Sequence, residues 1–209
     1  MSGGALPSIC LVSGYKYDVF ISYSRQGSVQ KWLLNHFHKK LEECLADQYA
    51  PAPKVYVDRS MPRGVHWPSH LQQAIRHSKI ILPLLTPNYF ESNWCMAELR
   101  SMQERQKALG LGTVERPQTL IHPVLYSDSD NFPDEGREYS WWDFKAYANP
   151  EPPFQVSPAF SDFHFKVVEL AKELVELLKQ VPDWRDDWPV VDPPDPYLIP
   201  PPPLPRFGP

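Results

Sequence analysis

The chain has 209 residues, 42% hydrophobic and 22% charged, enough for one full domain and a tail. A formal charge of -4, a pI near 6.0 and the lack of a dense basic run argue against nucleic acid as a partner. No apolar stretch approaches the roughly 20 residues that span a bilayer, and no basic-then-apolar leader opens the chain, so a soluble, cytoplasmic protein without a membrane partner is expected.

Residues 1–14 are small and weakly patterned and read as a leader. Tyr17 to Ser24 is rich in β-formers and reads as a strand buried over most of its length. After an Arg25–Ser28 loop, Trp32, Leu33, Phe37, Leu41, Cys44 and Leu45 mark an amphipathic helix that Pro51 and Pro53 end. On it, His36 and His38 lack a partner carboxylate in the pattern and are expected at the surface. Val55–Asp58 is a short strand, followed by the Pro- and Gly-punctuated loop Arg59–Trp67. Pro68 suits the first turn of the next helix, which points Leu71, Ala74 and Ile75 inward.

Lys79–Leu85 is a third apolar strand, although its Pro83 removes a ladder hydrogen bond. Ser92 then supplies an N-cap for a helix running to about Ala108. Cys95, Leu99 and Met102 form its buried stripe, and Trp94 and Glu98, four residues apart, share the adjoining one. Such a Glu is also favoured simply by the helix dipole. Thr119–Tyr126 is a fourth strand, and 127–160 is polar, then aromatic, with no clean period. Phe160–Val181 carries a strong helical stripe. From Pro182 the composition turns to Pro, Asp and Trp, so 182–209 reads as a polyproline-like tail dispensable for folding.

Strands alternating with helices imply βαβ units, a parallel sheet and helices on both faces. In that architecture ligands collect at the C-terminal ends of strands, here Tyr23–Arg25, Asp58–Trp67 and Thr86–Glu98. Neither GxGxxG nor GxxxxGK[ST] occurs, which disfavours the common dinucleotide and phosphate loops. There is no HExxH or paired CxxC, so no metal site is expected. Cys10, Cys44 and Cys95 read as free thiols of a reducing compartment.

Three separated segments, YDVFISYS at 17–24, D-x-x-x-P-x-G at 58–64 and LQQAIRHSKIILPLLTPNYFESNWCMAEL at 71–99, together closely resemble a Toll/interleukin receptor (TIR) domain over residues 15–181. The SxWCxxEL string looks like bacterial members. The resemblance implies a flavodoxin-like five-stranded parallel sheet. It also implies one of two functions, NAD+ cleavage at the nicotinamide–ribose bond or non-enzymatic scaffolding by TIR–TIR assembly.

In the NAD+-cleaving branch a WxxxE glutamate is essential, and Glu98 matches it. Trp94 matches the ring that borders the nucleotide and biases linear against cyclic product. Tyr23, Ser24, Arg25 and Asp58 fall on the cleft, and Arg63 and Trp67 lie in a loop used as lid and assembly surface. The implied partners are NAD+ as substrate, further copies of the chain, and a sensor or operon protein in bacterial immune signalling. No cofactor is implied.

Overall fold

The β-rich runs and amphipathic runs of the sequence fold into alternating strands and helices, in a computed structural model that describes residues 14–58, 67–128, 132–137 and 139–193. The strands are β1 (Tyr17–Tyr23), β2 (Val55–Val57), β3 (Ser78–Leu85), β4 (Val124–Leu125) and β5 (Trp142–Asp143). All pair in parallel, in the order β2-β1-β3-β4-β5. This is the flavodoxin-like doubly wound order. The chain leaves β1 toward one edge and β3 toward the other, so a crevice opens between the C-terminal ends of β1 and β3.

The helices are α1 (Val29–Trp32), α2 (His38–Gln48), α3 (Trp67–Arg76), α4 (Pro87–Phe90), α5 (Asn93–Leu109), α6 (Asp134–Arg137) and α7 (Ala159–Leu178). α2 packs on α7, while α3 packs on α5 and both touch β1. Among the described residues no helix is long and apolar enough to cross a membrane.

The expected helix after β1 is interrupted by a π-helical turn, Leu33–Phe37, between α1 and α2. This wider turn brings Leu33, His36 and Phe37 inward together. The surface placement expected of His36 and His38 is therefore wrong: they are 2% and 5% exposed. His36 lies edge-on to Phe154, and burial pushes its pKa down. His38 has a carboxylate within reach after all, Glu42 one turn on at 3.3 Å.

Pro83 stays in the middle of the sheet, opposite Ser22 of β1. Ile81 and Leu85 both exchange backbone bonds with the 120–126 segment, so Pro83, between them, faces the same way. Its missing N–H coincides with a gap in the ladder between the Ile81–Ile121 bridge and the Leu84–Val124 pair. The fourth strand is accordingly two residues long rather than eight.

The unpatterned 127–160 segment supplies β5 and two 3-10 turns, Lys145–Tyr147 and Pro152–Val156. Its aromatics build a cluster rather than a stripe. Phe144 is fully buried against Trp32, Phe37 and Phe163, and Trp32 Nε1 donates to Tyr147 O at 2.8 Å.

The largest departure is the tail. Residues 182–193 lie along the domain as a strap, while 194–209, which include the proline run, lie outside the described residues. Trp184 stacks on His77 at 5.0 Å and donates from Nε1 to Arg76 O. Trp188 is 2% exposed, its ring 5.1 Å from the Arg105 guanidinium. Tyr15 Oη donates to Pro182 O, and Val191 N to Ser101 Oγ. The boundary expected at residue 182 therefore moves outward, because Trp184 stacks on His77 and Trp188 covers the Arg105 guanidinium, contacts that proline density hides from a compositional reading.

Trp188→Ala should lower the unfolding free energy by about 3 kcal/mol, the low end for a buried Trp truncation. At about 2–4 °C per kcal/mol for a domain of this size, a thermal melt should fall by roughly 6–12 °C. An unchanged melt would mean that the strap contributes nothing to the fold.

Candidate functional site

The crevice predicted by the strand order is occupied by the side chains that the sequence singles out. Tyr23, Ser24 and Arg25 follow β1, Asp58 follows β2, and Trp94 and Glu98 come from α5. All six line one cleft of about 220 Å³ with Ser22, Leu71, Ser92 and Cys95. Ser92 caps α5 as expected, its hydroxyl accepting from Cys95 N, and Gly110 ends the helix in the left-handed region at φ 63°. Arg63 lies outside the described residues. Trp67 is placed in the first turn of α3, without a described side chain.

Glu98 lies deeper than its sequence pattern suggests, at 9% exposure, in the second turn of α5. Ser22 Oγ donates to its Oε2 at 2.5 Å, and Tyr89 Oη sits 2.9 Å from the same hydroxyl. Tyr89 can also reach Cys95 O at 3.4 Å. This chain is satisfied in either charge state. With Glu98 ionised, Tyr89 donates to Ser22 and Ser22 to the carboxylate. With Glu98 protonated the direction reverses, and Tyr89 donates to Cys95 O.

Burial dominates the electrostatics and lifts the Glu98 pKa from the usual 4.5 to about 8. The Ser22 bond opposes this, Asp58 adds to it, and Arg25 opposes it. Burial likewise pushes the Cys95 thiol up to about 12, so it is no nucleophile at neutral pH.

The outer rim is polar. Arg25 Nη2 pairs with Asp58 Oδ2 at 2.6 Å, with Arg25 about half exposed. Tyr23 Oη donates to Asp58 O at 2.6 Å, which ties the loop after β1 to the end of β2. Ser24 is buried and accepts from Gln26 N. Ser22 and Tyr89 are the two residues that sequence reasoning missed. Ser22 reads as strand and Tyr89 as connection, and no local spacing relates either to Glu98, 76 and 9 residues away. Among the described residues no group of three or more His, Cys, Asp and Glu side chains converges as a metal site. Cys44 and Cys95 are buried free thiols, and Cys10 lies outside the described residues.

A folded-state pKa above the unfolded one means that the native state holds the proton more tightly. The stability contributed by Glu98 should be complete below about pH 4.5, decline as pH rises, and be gone above about pH 8. Glu98→Gln, which keeps the Ser22 bond, removes this dependence. The stability of wild type relative to Glu98→Gln should therefore fall across that window in urea titrations. A flat difference would show that Glu98 is solvated.

The TIR domain family model matches residues 19–155. Disease resistance protein TAO1 of Arabidopsis thaliana is 35% identical over 122 residues, which are 58% of this chain and 9% of that protein. Disease resistance-like protein DSC2, also of Arabidopsis thaliana, is 33% identical over 114 residues, 54% of this chain and 8% of that one. The chain thus spans about a tenth of the length of these relatives. The solved TIR domain of the Toll-related receptor TRR-2 from Hydra magnipapillata aligns at 23% identity with a TM-score of 0.45, covering 73% of this chain and 98% of that one. With the family model covering well over half its length, this chain belongs to the TIR domain family.

Proposed function

We propose that this TIR domain cleaves NAD+ at the nicotinamide–ribose bond, with Glu98 as the catalytic carboxylate. The observation that carries this reading is a carboxylate buried at the switch-point crevice and held by a serine hydroxyl, with Trp94 on the same helix face and Asp58 paired with Arg25 at the rim. Glycosidases ordinarily use two carboxyl groups, one of them to protonate the leaving group. Nicotinamide leaves from a cationic pyridinium and needs no proton, so one carboxylate suffices.

The C1′–N bond breaks with its electron pair going to the nicotinamide nitrogen. Positive charge then spreads over C1′ and the ring oxygen, and a desolvated Glu98 opposes it strongly, because little water screens the pair. Water adds to C1′ and gives up a proton, for which Glu98, with a pKa of about 8, is a suitable acceptor. Attack by an adenine nitrogen instead gives a cyclic ADP-ribose isomer, and a base stacked on Trp94 favours that route.

A cleft of about 220 Å³ takes the nicotinamide riboside end and leaves the rest of the dinucleotide outside. Arg25 at the rim suits the diphosphate, with Tyr23, Ser24 and Asp58 shaping the entrance and Arg63 and Trp67 belonging to the loop beside it. A second copy of the domain would complete the cleft. The reaction needs no cofactor, NAD+ being the substrate. The disease-resistance relatives support a role in immune signalling, with a sensor protein as the further partner.

Purified protein incubated with NAD+ should release nicotinamide with ADP-ribose or a cyclic isomer, resolved by chromatography. Glu98→Gln should reduce turnover by about 100- to 1000-fold, as loss of a preorganised charge-stabilising group does. Because the ionised form is required, kcat/KM should rise about tenfold per pH unit and level off near pH 8. Trp94→Phe should change the ratio of cyclic to linear product more than the rate. Equal turnover by wild type and Glu98→Gln would remove Glu98 from the chemistry. Protein that assembles fully yet never releases nicotinamide would instead be a scaffold.

A further inference from the structure

The strap after α7 reaches the back of the same site. Val190 and Val191 line a narrow void of about 10 Å³ with Leu71, Trp94, Ala97 and Glu98. That is room for about one water molecule. Leu71, Trp94 and Glu98 also line the open cleft, so one layer of side chains separates the cleft from the strap. The strap is anchored at several points beyond this contact. Trp184 caps Arg76 O, Trp188 covers Arg105, Val191 N is bonded to Ser101 Oγ, and Asp192 accepts from Gln72 Nε2. Ser101 is itself one turn beyond Ala97, whose carbonyl it bonds at 2.7 Å. The strap is thereby registered to the turns of α5 that carry Trp94 and Glu98.

We propose that residues 184–192 are a working wall of the site, with Val190 and Val191 as positioning residues that keep water from the buried side of Glu98 and fix the back of Trp94. The cleft side of Glu98 is met by Ser22 and, further out, by Arg25 and Asp58. On the strap side the described lining is Val190 and Val191 with Leu71, Ile75, Ala97, Gln72 and Ser101, and of the two polar groups Gln72 donates to Asp192 and Ser101 is bonded to Ala97 O and Val191 N. The described titratable or charged groups that face Glu98 are Tyr23, Arg25, Tyr56, Asp58, Tyr89 and Cys95, none of them on the strap. Asp192, the strap's nearby charge, is engaged with Gln72 of α3. What the strap contributes is therefore dryness rather than charge. Lifting it opens a second path for water to Glu98 and frees the indole of Trp94 to move. A segment after the last helix then governs both the protonation and the product choice of a site made by β1, β2 and α5.

The catalytic consequence rests on the NAD+ reading above, but the wall itself can be tested without turnover. Val190→Ala/Val191→Ala trims the wall and keeps the Val191 backbone anchor, whereas Trp188→Ala lifts the strap. Each is paired with Glu98→Gln in the full chain, and the stability difference due to Glu98 is followed by urea titration from pH 4 to 9. The upper limit of the Glu98-dependent decline should move down by about one pH unit or more, a roughly tenfold weaker hold on the proton. A strap that only adds stability would lower the melt equally with or without Glu98 and leave that limit in place, which would overturn the proposal. Where turnover is present, the pH at which kcat/KM levels off should shift by the same amount. A shifted stability profile in protein that does not cleave NAD+ would retain the wall and discard the enzymatic reading.

Discussion

A hydrogen bond joins the two halves of the crevice, from Ser22 Oγ on the C-terminal end of β1 to Glu98 Oε2 on α5. A carboxylate this buried is costly to ionise, and one hydroxyl offsets only part of that cost. The cost that Ser22 does not offset remains as a raised pKa, since Glu98 sits in the second turn of α5, beyond the first turn where the helix dipole favours an anion most. The balance leaves the group with a pKa of about 8, close to the pH at which an acid–base group works best.

The same helix carries the opposite solution seven residues on. Arg105 is wholly buried, and burial lowers its pKa to about 10, yet its guanidinium donates to the carbonyls of Ile75, Arg76 and Ser78. Those of Ile75 and Arg76 are among the carbonyls that α3 leaves without helical partners, and that of Ser78 is at the start of β3. Arg105 is thus a structural cation with three carbonyl acceptors and an indole face, whereas Glu98 is a carboxyl with one donor among the described residues, beside an open cleft. Both lie on one face of α5, with Ser101 between them bonded to Ala97 O and Val191 N. The polar seam of α5 has one end at the crevice and the other beneath Trp188.

The aromatic cluster on the other side of the sheet explains why α1, the π turn and α7 hold together. Trp32, Phe37, Phe144 and Phe163 contact one another edge-on or stacked, and Trp32 is tied to Tyr147 O by its indole N–H. This packing closes the sheet behind the crevice without contributing to it. The cleft is thereby confined to one end of the strands.

The sequence by itself determined the alternation of strands and helices, the Ser92 cap of α5, the core stripes of α2, α3 and α7, and the strand ends that bring Tyr23, Ser24, Arg25, Asp58, Trp94 and Glu98 to the crevice. Each is a local pattern, set by periodicity or by the residue type that a turn requires. Tertiary structure alone decided the depth of Glu98, its Ser22 and Tyr89 partners, the inward turn of His36 and His38, the two-residue strands β4 and β5, and the docking of Trp184 and Trp188. The reason is common to all of them. Burial is the sum of neighbours brought from distant positions, and a pKa or a docked indole depends on that sum rather than on spacing along the chain.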